Sequence, residues 1–377
     1  MQKDFRTNNF DLIRIVTATL VLLNHSLSHL ELHTPAAYTV IQQFPRVPMF
    51  FVMSGYLLSA SFERNNDLKN YFTNRLLRIY PGLWACLILT VIVFAFAGVN
   101  FFNKEALPWF FTQMLGIIWT PSFLDNFGFG SYNGSLWTIV VELQFYLALP
   151  IIYFIGTIFS EKWIRDKKKA NLYFYILFGI SFLLAASLKY YFNDGDNVKS
   201  TVEKSLRYSI LPHAYIFMIG ILLQRWKIYK SDYVHGKGLY WAIGYLAFVY
   251  LTPNTPVKNL AQMLILAPCT IAIAYSLPGI ATKYLKNMDL SYGVFMYHGM
   301  ILAVLVEFGL TGSYYYLLLT LVVSFILAYL SYVYVETPAM ALAKNRNKAR
   351  ENARKQKSEG EIFAGNKEKP VPVAAES

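Results

Sequence analysis

The chain is poor in cysteine, in charge and in acid. Of its 377 residues two are cysteine, Cys86 and Cys269, and each lies inside an apolar run. Two isolated thiols of that kind build neither a disulfide framework nor a metal site. Charged residues make up 15% of the chain, and 22 acidic side chains face 34 basic ones, a net charge of +12. A basic balance of this size can mark a nucleic-acid binder. Here most Lys and Arg fall in short loops and one tail, which argues against a nucleic-acid surface. No Walker motif, Rossmann glycine fingerprint, internal repeat or His/Cys zinc spacing is present. The N-terminal region reads as uncleaved, because Arg14 interrupts its apolar run and no small-residue cleavage site follows.

What the chain has is apolar sequence, 55% hydrophobic and 17% aromatic. Soluble domains lie nearer 45–50% apolar. Long apolar runs recur along the whole length, so the fold class is all-α, a polytopic membrane protein. About ten transmembrane helices are expected, at 10–30, 44–62, 79–98, 136–158, 171–192, 208–226, 238–252, 260–279, 292–309 and 313–335, within a membrane domain 1–340. A further apolar piece, 106–119, is too short to cross a core of roughly 30 Å and reads as re-entrant or interfacial. The basic, apolar-poor stretch 341–377 reads as a disordered cytoplasmic tail. With both termini cytoplasmic, most Lys and Arg face inward. The 189–207 loop is the one anomaly, and it also holds Asp194, Asp196 and Glu203. Counting 106–119 as an eleventh span would turn most later basic residues outward. The expected location is the inner, cytoplasmic membrane, as a multi-pass protein.

The first span organises the rest. Arg14 and His25 are eleven residues apart, close to three helical turns, so they share one face about 16 Å apart. A charge inside a bilayer costs roughly 2.5–3.5 kcal/mol and usually faces a polar cavity. Taken singly, Arg14 could snorkel to the inner surface and His25 could sit in the outer interface. Counted along the spans, His25 lies about 22 Å above the inner edge and Glu142 about 9 Å below the outer one. That places them in a similar slab, with His25 as a partner for Glu142; the alternative is a structural bond from Glu142 to backbone or Trp137. Arg14, about 6 Å up, and His298, about 9 Å up, fall near the inner edge, where Glu336 closes the last span. Arg75 and Arg78, in RLLR, share a helix face and could clamp phosphates, or merely anchor the inner end. His298 could equally be a satisfied core histidine. His25, His29 and His33 have a metal-like spacing. No acidic second shell accompanies them, so no metal is expected. Ser54–Gly55, inside FFVMSGYLL, suits close helix packing. The outer segment 99–135 sets Trp109, Trp119, Phe123, Phe127, Phe129 and Tyr132 beside Asn126, Asn133 and Ser135. That mixture suits a sugar or headgroup, or an ordinary interfacial belt.

Six motifs in order, FDLIRIVTATLVLLNHS, FFVMSGYLL, RLLRIYP, SLWTIVVELQFYLALP, SYGVFMYHG and VYVETP, resemble the membrane-bound acyltransferase-3 family, polysaccharide O-acetyltransferase type, over residues 8–338. The family's Arg-x10-His pattern matches Arg14 and His25. Its paired arginines match Arg75 and Arg78, and its SLW-to-Glu motif matches Ser135, Leu136, Trp137 and Glu142. Leu143 departs from it, where many members carry a second acid or polar residue. The resemblance implies transfer of an acyl group, usually acetyl from acetyl-CoA, to sugar hydroxyls of cell-surface glycans. Some members bear an extra extracytoplasmic hydrolase-like domain, which this chain is expected to lack. The expectation is therefore an O-acetyltransferase with His25, Glu142 and Arg14 catalytic, and with Arg14, Arg75, Arg78 and His298 binding the donor. Trp137, Ser135 and Tyr132 would bind the acceptor. Acyl-CoA is the co-substrate, with no bound cofactor or metal; the partners are a cell-surface or lipid-linked glycan and membrane lipid, not nucleic acid. His25 would act as general base, or form an acyl-histidine. The alternative is an exporter of an acylated metabolite or glycan precursor, which should leave repeat symmetry or broken paired helices; none is seen. A scaffold without chemistry is the third class.

Overall fold

A computed structural model describes residues 4–163, 167–192, 201–277, 279–286, 288–342 and 344–346. Among these residues there is no strand. The helices are α1 (Phe10–His29), α2 (Ala36–Gln42), α3 (Arg46–Arg64), α4 (Leu68–Phe96), α5 (Ala106–Met114), α6 (Trp137–Trp163) and α7 (Lys167–Phe192). They continue with α8 (Thr201–Arg207), α9 (Ala214–Arg225), α10 (Gly238–Leu251), α11 (Pro256–Ala274), α12 (Ile280–Leu285), α13 (Ser291–Glu307) and α14 (Tyr314–Ser331). Side chains start several of them: Asp67 accepts from the Asn70 amide, Thr255 from Lys258 and Ser313 from Tyr315. Each of the ten apolar stretches read from the sequence overlaps a helix, but those at 208–226, 238–252 and 292–309 hold only shorter apolar helices of 10–17 residues. Among the described residues six helical stretches are long and apolar enough to cross a membrane: Phe10–His29, Leu68–Phe96, Gly134–Thr157, Asn171–Tyr191, Val257–Ala274 and Tyr314–Arg346. The chain is thus a multi-pass membrane protein. The basic tail lies almost wholly outside the described residues, as does much of the 189–207 loop.

The sequence of α13 explains its place. SYGVFMYHGMILAVLVE is small or apolar on every side, and nearly every residue of it is buried. It runs beside α1 in the same direction, since Arg14 meets Asp289 just before α13 and His25 meets His298 within it. The two helices therefore have one end marked by Arg14 and Arg78 and another marked by His29. α3 and α9 touch backbone to backbone. A Cβ on Gly55 would strike the Phe217 carbonyl, and one on Gly220 the Val52 carbonyl, so glycine is required at both. The packing reading of Ser54–Gly55 is met by Gly55.

The segment between α4 and α6 is not an open aromatic loop. α5 lies along α4, where the Tyr80 hydroxyl and the Trp84 indole donate to the Leu115 and Met114 carbonyls, 3.1 and 2.9 Å. The chain then turns back, tied by the Trp109 indole to the Trp119 carbonyl, 3.1 Å. It touches the far end of α13, where the Gly128 amide donates to Glu307, 2.7 Å. It then dives inward until the Asn133 amide donates to the Met296 carbonyl at mid-helix, 2.7 Å. α6 consequently begins deep inside the bundle.

Candidate active site

Two polar groups lie along α13. The first is built around Asp289, a buried carboxylate that α13 inherits from the turn before it. Its Oδ2 pairs with the Arg78 guanidinium of α4 and, at 3.3 Å, with Arg14 of α1. Its Oδ1 accepts from the Ser291 hydroxyl at 2.5 Å. Burial alone disfavours the charged carboxylate, but the Arg78 and Arg14 guanidiniums beside it favour that charge. Arg75, one turn earlier on α4, differs from Arg78. Its guanidinium lies over the rings of Tyr71 and Tyr146, 5.9 Å from each centroid, and its Nε is sealed from solvent without a hydrogen-bond partner. Among the described residues it makes no ion pair.

Glu142 belongs to this same group. Its two oxygens accept from the Tyr146 and Tyr292 hydroxyls at 2.6 and 2.7 Å. Two adjoining cavities share Phe50, Ser54, Glu142, Ser291 and Tyr292 as walls. One is bordered by Arg14, Arg75 and Arg78; the other is mainly apolar and reaches Val47, Ile139 and Phe295.

The second group is His25 and His298. Their Nδ1 and Nε2 atoms are 3.1 Å apart, and the Nδ1 of His298 is 3.1 Å from the Val294 carbonyl. His298 has no exposed surface. The Phe295 ring stands 6.0 Å from His298 and 6.2 Å from Phe50, between the apolar cavity and the histidines. Beyond His25, the His29 ring stacks on Phe129 at 4.0 Å.

The expected partnerships are thereby rearranged. Arg14, Arg75 and Arg78 do converge, but His25 meets His298 instead of Glu142, and His298 does not join the arginines. Both errors arise from counting depth from the first apolar residue. Asp289 already sits at the level of Arg14, so His298, nine residues on, rises by about 13 Å, close to the rise from Arg14 to His25. Conversely, α6 starts within the bundle, so Glu142 ends near the arginines. Two expected acceptor residues lie buried. Tyr132 is buried against Trp109, and Ser135 is buried with its hydroxyl on Asn133, because the Asn133 tether holds this stretch against α13. Trp137 stands apart, beside Phe51, Tyr208 and His213. Asp289, Tyr146 and Tyr292 were not foreseen. A lone acid just before a buried span, and a tyrosine one turn after Glu142, were the available signals.

Residues 7–336 match the family model described as an acyltransferase domain. The chain belongs to the acyltransferase-3 family. Nodulation protein 10 of Rhizobium leguminosarum bv. viciae is 28% identical over 360 residues, 89% of this chain and 94% of that one. The O-acetyl transferase of Shigella phage Sf6 is 26% identical, covering 88% of this chain and 95% of its own. The peptidoglycan O-acetyltransferase OatA of Listeria monocytogenes is 29% identical over 153 residues, 38% of this chain and 24% of that one. No solved structure matches the chain. This member of the acyltransferase-3 family is an O-acyltransferase, and its Arg14, His25, Arg75, Arg78 and Glu142 all lie along the two polar groups on α13 or the cavities between them.

Proposed function

We propose that this acyltransferase moves an acetyl group from cytoplasmic acetyl-CoA to a hydroxyl of an extracytoplasmic or lipid-linked glycan, in the inner membrane, through ten spans with both termini cytoplasmic. The observation that carries the reading is the line formed by the arginine group, the cavities along α3 and the histidine pair. Phosphates are recognised by guanidinium forks, and Arg75 makes no ion pair among the described residues and has an unpartnered Nε. The cavity beyond it changes from polar to apolar walls, which suits a pantetheine arm. His25, past Phe295, supplies the base. A hydroxyl is a weak nucleophile, so its proton must leave as it attacks. The oxygen adds to the thioester carbonyl, the carbon–sulfur bond breaks, and the departing thiolate takes the proton back from His25. Glu142 is assigned to the donor end, where it holds Tyr146 and Tyr292 in the cavity wall.

Purified protein incubated with labelled acetyl-CoA and isolated envelope glycan should deposit alkali-labile ester on the glycan. Binding of acetyl-CoA without any ester formed would overturn the reading. Orientation has its own test, because both native cysteines are buried. Lys69, in the first turn of α4, and Asn254, in the loop before α11, are exposed at opposite ends. An impermeant maleimide should label Asn254→Cys in intact cells and Lys69→Cys only after lysis; the reverse pattern would invert the topology.

A further inference from the structure

The histidine pair fixes more than a distance. A carbonyl oxygen can only accept, so the Nδ1 of His298, 3.1 Å from the Val294 carbonyl, must carry a hydrogen. A neutral imidazole carries one such hydrogen, which leaves the Nε2 of His298 bare. That bare nitrogen faces the Nδ1 of His25 at 3.1 Å. The Nδ1 of His25 therefore donates, and the Nε2 of His25 is left as its free lone pair. The opposite arrangement would set two lone pairs against each other at Val294. A doubly protonated His298 would bury a cation that has no exposed surface and, among the described residues, no carboxylate beside it.

We propose that His298 is a positioning residue: through Val294 it fixes the tautomer of His25, so that Nε2 of His25 is the atom that takes the acceptor's proton. The inference rests on the assignment of His25 as base. In a Ser-His-Asp triad a carboxylate holds the imidazole. Here a neutral ring backed by the helix carbonyl does so, which avoids placing an ionised acid in an apolar interior. During transfer the Nε2 of His25 receives the hydroxyl proton and returns it to the thiolate, while the Nδ1–H bond to His298 stays in place. Val294 is four residues before His298 on the same helix, so the tautomer of His298 is set within α13, and α1 supplies only the His25 ring that reads it.

The test separates acceptor chemistry from ring packing. In His298→Leu the acceptor is gone, and turnover should fall by about 10²-fold or more while acetyl-CoA affinity stays within about twofold of wild type. In His298→Gln the amide oxygen can accept from the Nδ1 of His25, and turnover should stay within about tenfold. Nitrogen-15 spectra of histidine-labelled wild-type protein, with His25 assigned by its loss in His25→Ala, should show hydrogen on Nδ1 and a bare Nε2. This spectrum decides the question even if the leucine variant fails to fold. Wild-type turnover in His298→Leu, equal inactivity of both folded variants, or hydrogen on the Nε2 of His25 would overturn the proposal. An active His25→Ala would instead defeat the assignment of the base, and leave the tautomer to be judged by the spectrum.

Discussion

The two polar groups on α13 solve opposite problems. The one around Asp289 is built from full charges, two guanidiniums on a single carboxylate with a third arginine nearby. The one around His25 has no ionised partner, only another imidazole and a helix carbonyl. In the proposed function the guanidiniums meet a polyanionic donor, whereas an ionised partner deeper in an apolar bundle would carry a large desolvation cost. A group that must accept and release a proton is best kept neutral at rest. The contrast extends to RLLR. Its two arginines share a helix face, but Arg78 is neutralised by Asp289 and Arg75 lies over two tyrosine rings.

Breaking the neutral group should have the largest effect. His25→Ala should lose about 10²–10⁴-fold in turnover and keep acetyl-CoA affinity, as read by isothermal titration beside a transfer assay. Equal losses in both would erase the division between the groups. Breaking the charged group at its centre should act on folding. Asp289→Ala leaves half-buried Arg78 without its acid and Arg14 with Asp11 alone, at 3.4 Å, a change that costs about 3 kcal/mol or more. It should appear as a lower unfolding midpoint in detergent, and an unchanged midpoint would show that water already compensates the arginines. Arg75→Ala should be milder and confined to the donor. Losing one charge-assisted contact is worth about 1.5–3 kcal/mol, roughly tenfold to a hundredfold in KM for acetyl-CoA, with turnover at saturation little changed. Arg78→Ala should combine a donor defect with instability, and identical behaviour of the two arginine variants would remove the distinction drawn between them.

Much of this was legible in the sequence. The apolar runs located the helices, because backbone in a membrane must satisfy its own hydrogen bonds. The helical period put Arg14 and His25 on one face, and both face α13. The acyltransferase-3 motifs named the chemistry. Depth was not legible. Hydropathy marks where apolar residues begin, but Asp289 and the stretch 133–137 already lie inside the bundle, so counting from those edges misplaced His298 and Glu142 in opposite directions. The bond from Tyr292 to Glu142 spans 150 residues and leaves no local pattern. The burial of Tyr132 and Ser135 depends on one amide, Asn133, reaching the middle of another helix.

The smallest effect is expected at His29, and it sharpens the placement of the reaction centre. His29 shares the face of His25 one turn on, with ring centroids 5.9 Å apart, so proximity alone does not separate their roles. Their partners do. His29 stacks on Phe129, an apolar ring that neither accepts a proton nor fixes a tautomer. Alanine there removes a stacking contact worth about 0.5–1.5 kcal/mol at most, and leaves the His25–His298 hydrogen bond intact. His29→Ala should therefore fold, bind acetyl-CoA and turn over within about threefold of wild type. A loss comparable to that of His25→Ala, in a transfer assay with saturating acetyl-CoA, would move the proton-transfer site one turn toward Phe129 and make the buried pair a structural contact.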